Sequence, residues 1–203
     1  MKGSLTTILL GLALSRALSA APLNFDFKDP KGVNNITFKI DAPLESTTGA
    51  AAGISGRVTF DPDAPAALQG RIVVATASLH VPNPMMNQHL LGPQWMDAAR
   101  FPEITFDVEK VSDAQVQGND TRATVTGRLT IKGVTKPVTT PVRLTYLKDK
   151  LPERFPRLKG DLLVVRAHFT IRRDDFGINP GKFEDKVSED IQLDLSLAGQ
   201  SPR

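Results

Sequence analysis

The chain has 203 residues, no cysteine, one tryptophan, and 25 basic against 22 acidic side chains. Without thiols there is no disulfide staple, thiolate metal site or redox dithiol, so stability rests on burial. Lys2 and Arg16 belong to a removable leader; without them bases and acids nearly balance, and no basic run interleaved with aromatics offers a nucleic-acid footprint.

Met1-Lys2, the apolar run Leu5 to Leu14 and the small residues Ser19-Ala20-Ala21 read as a secretory signal peptide, residues 1–20, cut after Ala20. The apolar run is too short for a stable membrane span. Residues 21–203 have the length of one domain, and the leader predicts a periplasmic or secreted protein.

Leu23, Phe25 and Phe27 alternate with polar residues and predict a first short strand before the Asp29-Pro30 turn. Ile36, Phe38 and Ile40 repeat the pattern. Asp41 to Ala52 reads as a connection rich in turn formers and small residues, and alternation resumes from Gly53 to Phe60, with Ile54, Val58 and Phe60 on one side. After the turn cluster Asp61-Pro-Asp-Ala-Pro65, a strand is expected from Gly70 to Leu79. Met85 to Ala99 breaks the β rhythm. Met86, Leu90 and Leu91 suit a helical face and Gly92-Pro93 interrupts it, so a short kinked helix, with Trp95 and Met96 in its second turn, is expected over one end of the sheet.

Phe101 to Lys110 returns to alternation, with Ile104, Phe106 and Val108 on one face. Thr124 to Val142 predicts a hairpin. Val125, Gly127, Leu129 and Ile131 share one face, Gly133 supplies the turn, and Val138, Val142 and Leu144 share the parity of the returning strand. Leu147 to Leu158, charged and carrying Pro152 and Pro156, reads as a mobile loop. Leu163, Val165, Ala167, Phe169 and Ile171 form one face of a long strand, and Ile191, Leu193, Leu195 and Leu197 one face of the last. Eight or nine strands with one apolar and one polar face fit a closed antiparallel sheet or a two-sheet sandwich. An open sheet edge would let two copies pair into a homodimer.

Three segments carry a resemblance. Gly127-Arg-Leu-Thr-Ile-Lys-Gly-Val-Thr-Lys-Pro-Val138 is similar to the central signature of the YceI-like family, the polyisoprenoid-binding, lipocalin-like barrel proteins. Arg100-Phe-Pro-Glu-Ile-Thr-Phe106 and Ile171-Arg-Arg-Asp-Asp-Phe-Gly-Ile178 resemble further family motifs in the expected order. Lys31-Gly-Val-Asn-Asn35 departs from the pattern, standing where a short His-Ser element is usual. The resemblance implies an all-β fold, a single closed antiparallel lipocalin-like barrel of about eight strands with a short helix over one end. It also implies a lumen that holds a long apolar isoprenoid lipid, a polyisoprenoid or isoprenoid quinone. Each buried CH₂ is worth about 0.8 kcal/mol, so such a chain needs little polar help.

The predicted ligand-binding set is Phe38, Val58, Phe60, Ile104, Phe106, Leu129, Val142, Leu144, Val165 and Phe169 from inward parity, with Leu90 and Trp95 from the helix and Arg173 and Phe176 near the mouth. Arg173 and Asp175 continue the inward parity where the strand runs out. Arg173 reads either as a forked donor for a ligand head group or as one half of an Arg–Asp pair closing the strand end. The three histidines, His80, His89 and His168, fall in no hydrolase motif and lack the spacing of a zinc site, so no catalytic residue, metal or cofactor is assigned. Two rival readings use the same fold: a hydrolase or isomerase with His89 and Asp97 or Asp175 as acid and base, and a filled barrel serving as a stress or scaffold protein.

Overall fold

The structure, a computed structural model, describes residues 21–203; the signal peptide expected at 1–20 lies outside the described residues. Eleven strands form one sheet: β1 (Leu23–Asp26), β2 (Asn35–Asp41), β3 (Ser46–Ala51), β4 (Ile54–Phe60), β5 (Gln69–Ala75), β6 (Leu79–His80), β7 (Glu103–Gln117), β8 (Asp120–Ile131), β9 (Val134–Leu147), β10 (Gly160–Arg172) and β11 (Asp190–Pro202). Eight of them close a ring in the order β1-β4-β5-β7-β8-β9-β10-β11, sealed where Asp26 of β1 pairs with Gln200 of β11. The fold is the closed eight-stranded antiparallel barrel, and closure separates it from the sandwich that the same periodicity also fits.

β11 has one neighbour too many for a simple ring. Its last residues pair with β1, and Ile191 to Ser196 pair with β2, which carries β3 and the two-residue β6 as a flap. Asn34 holds this branch point. Fully buried, its amide donates to the carbonyls of Phe27 and Ala198, each at 3.1 Å, and its oxygen accepts from Ala198 N at 2.9 Å. The departure noted at Lys31 to Asn35 is therefore a structural joint. Next to it Asp29 accepts from Val33 N, Asn34 N and Arg154 at 2.7–2.8 Å. Burial by itself would raise the pKa of Asp29, but the bonds from Arg154 and the backbone hold it below the usual carboxylate range.

Four expectations are corrected. The first lies in 41–52, where Ser46–Ala51 is a strand and not merely a connection. Its small residues are a packing requirement: Gly49 sits opposite Phe38, and a Cβ there would lie 2.2 Å from Phe38 Cζ. Second, the strand expected from Gly70 to Leu79 ends at Ala75 in a tight 3₁₀ turn, Thr76–Ser78. Third, β7 runs on to Gln117 through two register shifts, Val108/Lys110 and Ser112/Gln115. Each shift flips the side-chain parity, so the inward face passes from Phe106 and Val108 to Val111 and then Ala114. Fourth, the stretch read as a mobile loop, 147–158, carries a helical turn, α2 (Leu151–Arg154), with Leu151 0% exposed, and it seals the base. Asp161 fastens this end, accepting from Asp149 N at 2.7 Å, Tyr146 Oη at 2.9 Å and Arg203 at 2.7 Å.

The hairpin β8–β9 follows the sequence closely. Its tight turn is Lys132-Gly133, both with positive φ (50° and 76°), the conformation that matches the twist of the flanking strands.

Candidate functional site

The inner wall of the barrel surrounds a cavity of about 220 Å³. It lies between two packed clusters. The base is filled by Phe25, Phe27, Phe60, Leu163 and neighbours, and the other end is covered by Met96, Ile131, Ile171, Phe176 and Ile178. Ile36, Phe38, Ile72, Ile104, Phe106, Val142, Val165 and Phe169 line the space between them. Two inward rings lie over glycines of the adjoining strand. Phe38 covers Gly49, and Phe106 covers Gly127, where a Cβ would lie 2.5 Å from Phe106 Cζ. A side chain at either glycine would press on its ring and on a backbone oxygen, His80 O beside Gly49 and Asp107 O beside Gly127.

The upper end is built from α1 (Pro84–Leu91), the turns that follow it, and the loop between β10 and β11. Asn83 caps the helix, its side chain accepting from Met85 N at 3.0 Å and Met86 N at 3.1 Å. The helix stops at Gly92-Pro93. Trp95 and Met96, expected in a second helical turn, are carried instead by backbone turns, Trp95 N donating to Gly92 O and Met96 N to Leu90 O. Lys132 and Asn179 both donate to Gln94 O, and the Trp95 ring rests 5.9 Å from Phe183, tying helix, hairpin and loop together.

Arg173 organises that loop. It is 1% exposed, and its guanidinium donates to five carbonyls, those of Ser188, Ile178, Asn179, Lys182 and Val187. Its ion-pair partner is Asp174, at 3.3 Å; Asp175, expected to share the inward face, is exposed because β10 ends at Arg172 and a 3₁₀ turn, Asp174–Phe176, follows. Although Arg173 borders the lumen, its donors are spent on the loop.

Beside the lumen, between α1 and the β2–β3 hairpin, lies a second cavity of about 170 Å³, lined by Phe38, Ile40, Thr47, Val81, Met86, His89, Leu90, Trp95 and Val187. Phe38, Ile40 and Leu90 border both spaces.

Residues 28–198 match the YceI-like domain. The chain belongs to the YceI-like family. A UPF0312 protein of Yersinia pestis is 35% identical over 151 residues, covering 74% of this chain and 72% of that protein. Another, from Pseudomonas savastanoi pv. phaseolicola, is 30% identical across 98% of this chain and 97% of its own length. Among solved structures, Burkholderia cenocepacia BcnA superposes with a TM-score of 0.66 at 27% identity, covering 81% of this chain and 95% of that one. A polyisoprenoid binding domain from Saccharophagus degradans has the same fold at a TM-score of 0.64 and 14% identity, over 89% and 99% of the two chains.

The YceI-like barrel places most of the predicted set on the lumen wall: Phe38, Val58, Leu90, Ile104, Phe106, Leu129, Val142, Leu144, Val165, Phe169, Arg173 and Phe176. Two members sit elsewhere. Phe60 is 1% exposed in the sealed base, 6.5 Å from the Tyr146 ring, because β1 closes the barrel at that end of β4. Trp95 lines the second cavity. Ile36, Ile40, Ile191, Leu193 and Leu195 join the wall and were legible in the same period-two pattern, whereas Ile72, also on the wall, lies in a continuously apolar run that does not declare its inward face. Met96, Ile178 and Val187 carried no such signal, since they come from irregular backbone.

His80, His89 and His168 sit on β6, α1 and β10, and His168 pairs with Asp194 at 2.7 Å on the outer wall. Among the described residues no group of three His, Cys, Asp or Glu side chains converges, and no hydrogen bond joins His89 to Asp97 or Asp175. No helix among them is long and apolar enough to cross a membrane.

Proposed function

We propose that this protein is a carrier that sequesters an isoprenoid lipid, a polyisoprenoid or isoprenoid quinone, in its lumen, and that it works in the periplasm or outside the cell after loss of residues 1–20. One observation carries the reading: a sealed-base cavity whose wall is apolar apart from Thr140, Arg173, already bonded to the loop, and Thr105, which reaches it from a position of opposite parity to Ile104 and Phe106. Such a wall recognises a ligand by area and shape and holds it by burial. The polyisoprenoid binding domain of Saccharophagus degradans shares the barrel and supports the same ligand class. The apolar wall favours binding over turnover, since it offers burial and shape to a ligand.

The cavity also sets a scale. A 150 Å³ apolar cavity takes benzene, so 220 Å³ holds roughly nine carbons, about two isoprene units. A longer chain extends into the second cavity or displaces wall side chains. Native mass spectrometry of purified protein, followed by organic extraction, tests the reading. A co-purifying isoprenoid, or uptake of an added one such as farnesol with micromolar affinity, is expected. Empty protein that takes up no apolar chain would overturn it, and N-terminal sequencing of exported material that still begins at Met1 would overturn the leader.

A further inference from the structure

Among the described residues, the lumen has room for a chain but offers no free group for a polar end. Arg173 is saturated by carbonyls, the Thr140 hydroxyl donates to Pro141 O at 3.2 Å, and Thr105 alternates with the inward Ile104 and Phe106. The second cavity differs in kind. Thr47, His89 and Trp95 are among its lining residues, and none of the three makes a side-chain hydrogen bond among the described residues. Phe38, Ile40 and Leu90 form a wall common to both spaces, so one extended molecule can occupy both once these side chains swing aside.

We propose that this vestibule beneath α1 receives the polar end of the carried lipid, and that this end is uncharged, an alcohol or a carbonyl rather than a phosphate. The inference rests on the carrier reading and adds to it an orientation and a selectivity: tail toward the sealed base, polar end at the helix.

Charge decides the selectivity. No lysine or arginine lines the vestibule, and residues 81–96, which supply five of its nine lining side chains, contain no Lys, Arg, Asp or Glu. A phosphate drawn into such a space gives up hydration and gains no lysine or arginine in return, which is unfavourable. The N-terminus of α1 offers no substitute, because Asn83 already accepts from the Met85 and Met86 amides. A hydroxyl or carbonyl needs only one or two neutral hydrogen bonds, which Thr47, His89 and Trp95 can supply.

Trp95, the single tryptophan of the chain, makes the orientation directly readable. Two monobrominated farnesols, one labelled beside the hydroxyl and one at the far end of the chain, are titrated against the protein while Trp95 fluorescence is followed, with displacement of an apolar dye confirming saturation. Bromine quenches on contact, so the hydroxyl-end label is expected to quench several-fold more strongly. Stronger quenching by the tail-end label would overturn the orientation. Geraniol is expected to bind at least about a hundredfold more tightly than geranyl diphosphate, and equal affinity would overturn the selectivity. Thr47→Val with His89→Leu should weaken geraniol about tenfold and leave its parent hydrocarbon unchanged, since only the hydroxyl loses partners. Equal losses for both would point to damaged packing and overturn the assigned contacts. Failure of even the hydrocarbon to bind wild-type protein would overturn the carrier reading itself, and the inference with it.

Discussion

Replacing Gly49 by alanine should close the lumen from its wall. The new Cβ would stand 2.2 Å from Phe38 Cζ and 2.5 Å from His80 O, while an ordinary carbon contact needs about 3.5–4 Å. Phe38 must then swing inward. A phenyl ring fully inside takes about the space of benzene, 150 Å³, from a lumen of 220 Å³ and displaces roughly six ligand carbons. At about 0.8 kcal/mol per CH₂ that is about 5 kcal/mol, or a few thousandfold in affinity; half the displacement gives about sixtyfold. Overpacking should lower stability by about 1–3 kcal/mol as well, moderated because β3 lies in the flap beside the two-residue β6. Isothermal titration with farnesol, alongside thermal melts, measures both effects. Phe38→Leu added to Gly49→Ala should restore part of the affinity by removing the ring that was forced inward, while the contact with His80 O still strains the flap. Wild-type affinity in Gly49→Ala, or no recovery in the double variant, would refute the idea that rings laid over glycines keep the lumen open.

Three further outcomes follow from the same geometry. Phe106→Asp, which places an unpaired carboxylate in the lumen, should cost about 3–5 kcal/mol by chemical denaturation, whereas Thr105→Asp on the opposite parity should cost under about 1; equal losses would mean the wall is misassigned. Arg173→Gln strips donors from buried loop carbonyls and should cost about 3 kcal/mol or more, with farnesol and its hydrocarbon weakened alike; a loss confined to the alcohol would return the polar end to Arg173. Burial, and then the bond to Asp161 and its charge, push the Tyr146 hydroxyl from its ordinary 10.0 up to about 12. Its contribution is complete below pH 10 and is lost as pH rises through the window to about 12, because the unfolded chain ionises first. Tyr146→Phe should flatten that part of the stability profile, and an unchanged alkaline loss would exclude this tyrosine as its source.

Alternation made the barrel wall legible. A strand whose side chains change character every second residue declares which ones leave water, whatever strand lies beside it, and that local rule placed Ile104, Phe106, Leu129, Val142 and Leu144 correctly. The β8–β9 turn was equally local, because Gly133 states its own backbone freedom. The tertiary structure decided everything that depends on a neighbour from elsewhere in the chain. Ser46–Ala51 is a strand because β2 pairs with it, Gly49 leaving room for Phe38, and Phe60 belongs to the base because β1 closes there. The bulges of β7 flip its parity, Arg173 spends its donors on a loop that follows it, and a vestibule gathers Thr47, His89 and Trp95 from separate elements. Side-chain direction is set within two residues, but the partner that gives a side chain its role is set by closure of the sheet, which no short stretch of sequence contains.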